Sequence, residues 1–183
     1  MSRLATRDLA VAALFTAVLA ASAFITIPVG AVPFTLQIYV VLLAGMVLGP
    51  RLGALSVVAY LVVGLIAPVY SGAASGLGAL LGPTGGYLLG FVPGVIVAGL
   101  AAGARKRSVA RLTAAGLAGL LPIYLLGTAW LAQQQSLTLW AAAAAGVAPF
   151  VWIDALKALA GALTAKALLS LPLDLPFAAR RVR

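Results

Sequence analysis

Residues 34–67 read FTLQIYVVLLAGMVLGPRLGALSVVAYLVVGLIA, thirty-four positions with a single charge, Arg51. The stretch shows none of the alternating polarity of a barrel strand. It is continuously apolar, and in lipid a segment of that kind satisfies its backbone as a helix. Gly49-Pro50-Arg51 divides it: glycine and proline interrupt helices, and proline favours the first position of a new one. The reading is two helices, residues 34–48 and 52–67, each short beside the roughly 20 residues of a usual crossing; a re-entrant hairpin, giving a five-helix count, is the alternative that the placement of basic residues disfavours.

The same character runs through all 183 residues, of which 64% are hydrophobic and 8% charged. Soluble domains are about a quarter charged. The chain therefore reads as an all-α integral membrane protein, one domain of six transmembrane helices. The other four cover residues 8–27, 84–103, 111–131 and 149–170. The first run is long for the apolar core of a signal peptide and reads as a spanning helix. An echo between LGPRLGAL at 48 and LGPTGGYL at 81 fades within a few residues and reads as two helix starts.

Charge placement sets orientation. Arg3, Arg7, Arg51, Arg105, Lys106, Arg107, Arg111, Arg180, Arg181 and Arg183 fall on one side of the six-helix arrangement. The opposite loops, 28–33, 68–83 and 132–148, hold no lysine or arginine. Basic residues favour the cytoplasmic side, so both termini are expected there. The net charge of +9 thus marks topology and contact with lipid heads, with no nucleic-acid partner. Trp130 and Trp140 read as members of an outer aromatic belt. Lys166 reads as snorkelling from the inner end of the last helix.

Asp154 and Lys157, in PFVWIDALKALAG (149–161), remain without such an explanation. Three residues apart, they share a helix face. Charges inside a membrane segment are costly and usually face a cavity or a partner. The pair reads as a ligand site that forms a salt bridge when empty. Thr35, Gln37, Tyr39, Tyr70, Ser71, Thr84, Tyr87 and Trp152 map to the same depth and complete a candidate small-molecule pocket. Apolar walls with a few convergent polar groups describe such a pocket. Gly82, Gly85, Gly86 and Gly90 permit close approach; at Gly86 and Gly90 tight helix packing is the expected reason. Ala13, Ala17 and Ala21 form a small-residue stripe on the first helix.

The chain has no histidine and no cysteine, and no nucleophile–base pair stands beside Asp154 and Lys157. No enzyme, no metal site and no cofactor are expected. A binding subunit for uptake leads; a proton-coupled small-molecule transporter with Asp154 as relay is the alternative.

Three stretches together, VPFTLQIYVVLLAGMVLGPRLGAL, GLGALLGPTGGYLLGF and PFVWIDALKALAGAL, resemble the BioY family. BioY proteins are the biotin-specific S components of energy-coupling-factor (ECF) transporters. The resemblance implies a six-helix S component in a bacterial or archaeal plasma membrane, open to the outside and binding biotin at high affinity. It implies an energising module of a transmembrane coupling subunit and two ATPases as partner. It makes Ala13, Ala17 and Ala21 similar to the family's docking motif. The chain carries no Walker A signature and so does not energise itself. It departs from the family at Trp152 and Ile153, where proline and glycine are frequent.

The charge distribution makes a direct prediction. A single cysteine introduced at Arg107 reacts with an impermeant thiol reagent only from the cytoplasmic side; reaction from outside overturns the six-helix arrangement.

Overall fold

The computed structural model describes residues 5–30, 32–103 and 107–171. Arg3, Arg105, Lys106, Arg180, Arg181 and Arg183 lie outside the described residues. The chain is mostly helical: α1 (Thr6–Ala23), a two-stranded hairpin β1 (Thr26–Ile27) and β2 (Phe34–Thr35), α2 (Gln37–Gly64), a 3₁₀ turn at Ser71–Ala73, α3 (Gly76–Leu81), α4 (Gly85–Ala102), α5 (Val109–Gln134), α6 (Leu139–Gly146) and α7 (Val151–Ser170). Four of these helices, α1, α2, α4 and α5, are long and apolar enough to cross a membrane, and the pair α6 and α7, bent by 54°, gives a fifth candidate.

α2 is not straight. Gly49 has φ 77° and ψ −179°, outside helical space, and Pro50 follows it. The Gln37 side chain at the start of α2 donates to the Tyr60 hydroxyl near its end at 2.5 Å. In a straight helix those residues would stand about 35 Å apart at 1.5 Å per residue. The element is therefore a helical hairpin, with legs 37–48 and 50–64, divided where the sequence suggests.

Proline at position 50 has no N–H, so the Met46 carbonyl loses its usual helical donor. Arg107 supplies one: its guanidinium donates to Met46 O at 3.2 Å and to Gly103 O at 2.9 Å. Arg107 is only 5% exposed. The sequence reading placed it among loop charges; the structure makes it the clasp of the hairpin bend. Exposed Arg51 beside it is the better labelling position.

Glycines set the packing. A Cβ on Gly45 would meet Val95 O at 2.6 Å, and one on Gly99 would meet Pro50 N at 2.6 Å. α4 therefore nests in the crook of the hairpin. On its other side Gly86 abuts Trp130 and Leu126, Gly90 lies against the Ile123 backbone, and Gly94 faces the Ile123 side chain, all on α5. The expectation of helix packing at Gly86 and Gly90 agrees with this. α7 closes the bundle between α5 and the first leg of α2, with Ala158 against Gly116 and Gly161 beside Tyr39 and Met46. α1 lies against the second leg, where Thr16 Oγ1 donates to Ser56 O at 2.9 Å. It buries Ala12, Leu19, Ser22 and Ala23 and leaves Ala13, Ala17 and Ala21 exposed.

Gly45→Ala tests this packing. Alanine gains up to about 1 kcal/mol of helix propensity, but overpacking against backbone atoms costs about 1–3 kcal/mol. The thermal midpoint in detergent falls. Gly78→Ala, inside α3 where a Cβ meets nothing within 4 Å, keeps the propensity gain and does not lower it.

Candidate functional site

Asp154 stands in the first turn of α7, where the chain resumes after the break between α6 and α7. Its carboxylate is 1% exposed. Oδ1 accepts from Lys157 Nζ at 2.7 Å, across one helical turn. Oδ2 accepts from the Tyr124 hydroxyl of α5 at 2.6 Å. Lys157 also donates to the Thr35 carbonyl at 2.7 Å, and its ammonium lies 4.0 Å from the centre of the Phe34 ring. Beyond Asp154, the β1–β2 hairpin thus holds Lys157 through a carbonyl and a ring. A buried pair with one partner on each side is stabilised by these further contacts, since desolvation alone can exceed the Coulomb gain.

The hairpin is itself positioned by hydrogen bonds: Thr26 pairs with Thr35, Leu36 N–H donates to Ile25 O, and the Thr26 and Ser71 hydroxyls are 3.2 Å apart. It brings Val32, Pro33, Phe34 and Thr35 over the pair.

Two adjoining cavities meet here. The smaller, about 30 Å³, is lined by Asp154, Lys157, Tyr124, Phe150 and Phe34 among others. The larger, about 200 Å³, has walls that include Gln37, Ser71, Thr84, Leu88 and Phe91. Thr35, Ile38 and Tyr87 line both. The larger lobe carries hydroxyls and an amide but no charged side chain among its lining residues.

The GPTGGY segment places Tyr87. The Gly82 carbonyl accepts from the Trp130 indole at 2.9 Å, and a Cβ on Gly85 would strike the Leu80 carbonyl. α4 thus starts hard against α5. The Tyr87 ring fills the space left by Gly127, and its hydroxyl donates to Gly146 O at 3.1 Å. Trp130, read from sequence as a belt residue, is an internal brace. Trp140 is 85% exposed.

Of the residues singled out from sequence, Asp154, Lys157, Thr35, Gln37, Tyr70, Ser71, Thr84 and Tyr87 line the two cavities. Tyr70 is buried in the connection between α2 and α3 and donates to Leu61 O at 2.6 Å. Burial pushes its hydroxyl above the ordinary tyrosine range, so it stays a donor. Two residues fall elsewhere. Tyr39 donates to Thr164 Oγ1 at 2.9 Å and borders a groove on the outer face of the bundle. Trp152 is 78% exposed and lines neither cavity.

A family model described as the BioY family matches residues 1–172. The chain belongs to the BioY family. A biotin transporter BioY of Thermotoga maritima is 41% identical over 169 residues, covering 92% of this chain and 99% of the relative. A probable biotin transporter BioY of Pyrococcus horikoshii is 40% identical over 163 residues, covering 88% and 96%. The crystal structure of the S-component for biotin from an ECF-type ABC transporter superimposes with a TM-score of 0.84 at 26% identity, covering 92% of this chain and 96% of that one.

Within this BioY-family chain, Trp152 and Ile153 point outward, 78% and 41% exposed, from a helix that runs unbroken through them. Asp154 and Lys157, on the buried face of the same helix, are paired. The sequence reading missed Tyr124, Phe34 and Phe150, which line the smaller lobe. Tyr124 is the one tyrosine of α5, which is a signal: a phenol in a lipid-embedded helix needs a partner.

Proposed function

We propose that this chain is the S component of an ECF-type transporter and captures biotin from outside the cell. It is a multi-pass membrane transport subunit, not an enzyme. The observation that carries the reading is the buried Asp154–Lys157 pair at the end of an apolar cavity lined by neutral polar groups. Biotin has a ureido group with two N–H donors, an apolar bicycle and a carboxylate. A buried carboxylate accepts N–H bonds strongly, which suits the ureido end to Asp154. The bicycle then lies across Ile38, Tyr87 and Phe91, with the ligand carboxylate toward Ser71 and Thr84. Ligand entry requires the two lobes to merge through Thr35, Ile38 and Tyr87.

Six membrane passes, counting each leg of α2, keep both termini in the cytoplasm. The site then faces outward, and the Gly49–Pro50 bend faces the cell interior. The energising module of a coupling subunit and two ATPases docks on Ala13, Ala17 and Ala21, whose small side chains permit close helix approach.

Isothermal titration of the detergent-purified protein with biotin and with unrelated vitamins tests the ligand; heat with biotin alone is the expected result. Asp154→Asn and Lys157→Ala each remain folded and bind biotin at least about a hundredfold more weakly, on the order of 3 kcal/mol. Normal affinity in both variants moves the site to the lobe around Gln37 and Tyr87. A loss of folding in both makes the pair a helix lock, because breaking a buried pair costs about 3–5 kcal/mol.

The docking proposal has its own readout. Ala17→Trp binds biotin normally but no longer co-purifies with the coupling subunit and ATPases. Retention of the whole module by this variant removes the stripe from the interface.

A further inference from the structure

Lys157 does not by itself fix how the Asp154 carboxylate is turned. The terminal torsion of an aspartate is broad and roughly two-fold, and a single donor at i+3 holds only one oxygen. The second oxygen is held from a different helix, by the Tyr124 hydroxyl at 2.6 Å. Lys157 reaches only Oδ1 of the carboxylate, and its ammonium also bonds Thr35 O and lies against the Phe34 ring. With one donor on each oxygen the plane of the carboxylate is set, and each oxygen keeps a lone pair for a further donor.

Tyr124 is suited to such a role by what holds it. Its neighbour Ile123 is packed backbone to backbone on α4: a Cβ on Gly90 would lie 2.9 Å from Ile123 Cα. One turn later, Gly127 is covered by the Tyr87 ring. α5 at this level cannot shift without breaking the contacts that also position Tyr87. Precise sites stand on elements locked in this way. Tyr124 lines the small lobe together with Asp154 and Lys157, so its hydroxyl is at the ligand-facing end of the cavity and not in a separate core.

We propose that Tyr124 is a positioning residue for ligand recognition: its hydroxyl orients the Asp154 carboxylate so that both oxygens present lone pairs to a ligand carrying paired N–H donors. The proposal rests on the biotin reading above and assigns a residue to it that neither charge nor motif marks. The competing explanation is that Tyr124 merely satisfies its own buried hydroxyl and adds stability. A residue of that kind shifts the thermal midpoint and leaves biotin affinity unchanged.

A double-mutant cycle on the full chain in detergent separates the two. Biotin affinity is measured by titration for the wild type, Tyr124→Phe, Asp154→Ala and the double variant, with thermal midpoints measured alongside. The expected result is about a tenfold loss for Tyr124→Phe, the scale of one hydrogen bond to a charged group. In the Asp154→Ala background the same change costs less than twofold. A loss below threefold in the wild-type background, or an equal loss in both backgrounds, overturns the proposal. Where Asp154→Ala does not fold, Asp154→Leu fills the same space and serves as the background. Wild-type protein that binds no biotin sinks the biotin reading and this one with it. Wild-type binding with no coupling between Tyr124 and Asp154 sinks this one alone.

Discussion

Hydrocarbon offers no hydrogen bonds, so every polar group that enters it must bring a partner. The architecture follows that constraint closely. All five tyrosines donate their hydroxyls, to Thr164, Val69 O, Leu61 O, Gly146 O and Asp154 respectively. The carbonyl orphaned by Pro50 takes a guanidinium from a distant loop. Buried Asp154 takes two donors and buried Lys157 two acceptors and a ring. Apart from the Asp154–Lys157 bond inside α7, each of these bonds ties two segments together, so satisfying polar groups and assembling the bundle go hand in hand.

The cavity follows from two kinds of wall. On one side α4 and α5 approach at backbone distance through Gly86, Gly90 and Gly94, leaving no slack. On the other, the β1–β2 hairpin and the Ser71–Leu81 region are joined by single hydrogen bonds such as Thr26 to Ser71. Tyr87 stands on the firm side and Thr35 on the lighter one, and together they separate the lobes.

Much of this was legible in the sequence, and the rest was hidden for definable reasons. Helical character and the break at Gly49-Pro50 follow from local chemistry, and the structure places both where the pattern does. Asp154 and Lys157 were visible because charge is rare in such segments. The helix direction of Trp152 was not: its phase on α7 depends on where that helix begins, and the bend after Gly146 sets that. Tyr39 sits at the right depth but on the wrong face for the cavity, a distinction that needs helix rotation. Tyr124 escaped because its importance comes from a partner thirty residues away. Arg107 lies in the loop where the sequence places it, but its bond to Met46 O was hidden for the same reason, since a loop cation looks alike in sequence whether it faces water or a bent helix.

α1 contributes no residue to the lining of either lobe. It meets the bundle through the second leg of α2, and its outer face carries exposed Ala13, Leu14, Ala17, Val18 and Ala21. What the molecule shows to its neighbours in the bilayer is thus separated from what it shows to a small molecule. Substitutions can accumulate on that helix without touching the chemistry of the cavity, and the cavity can be remodelled without altering the helix.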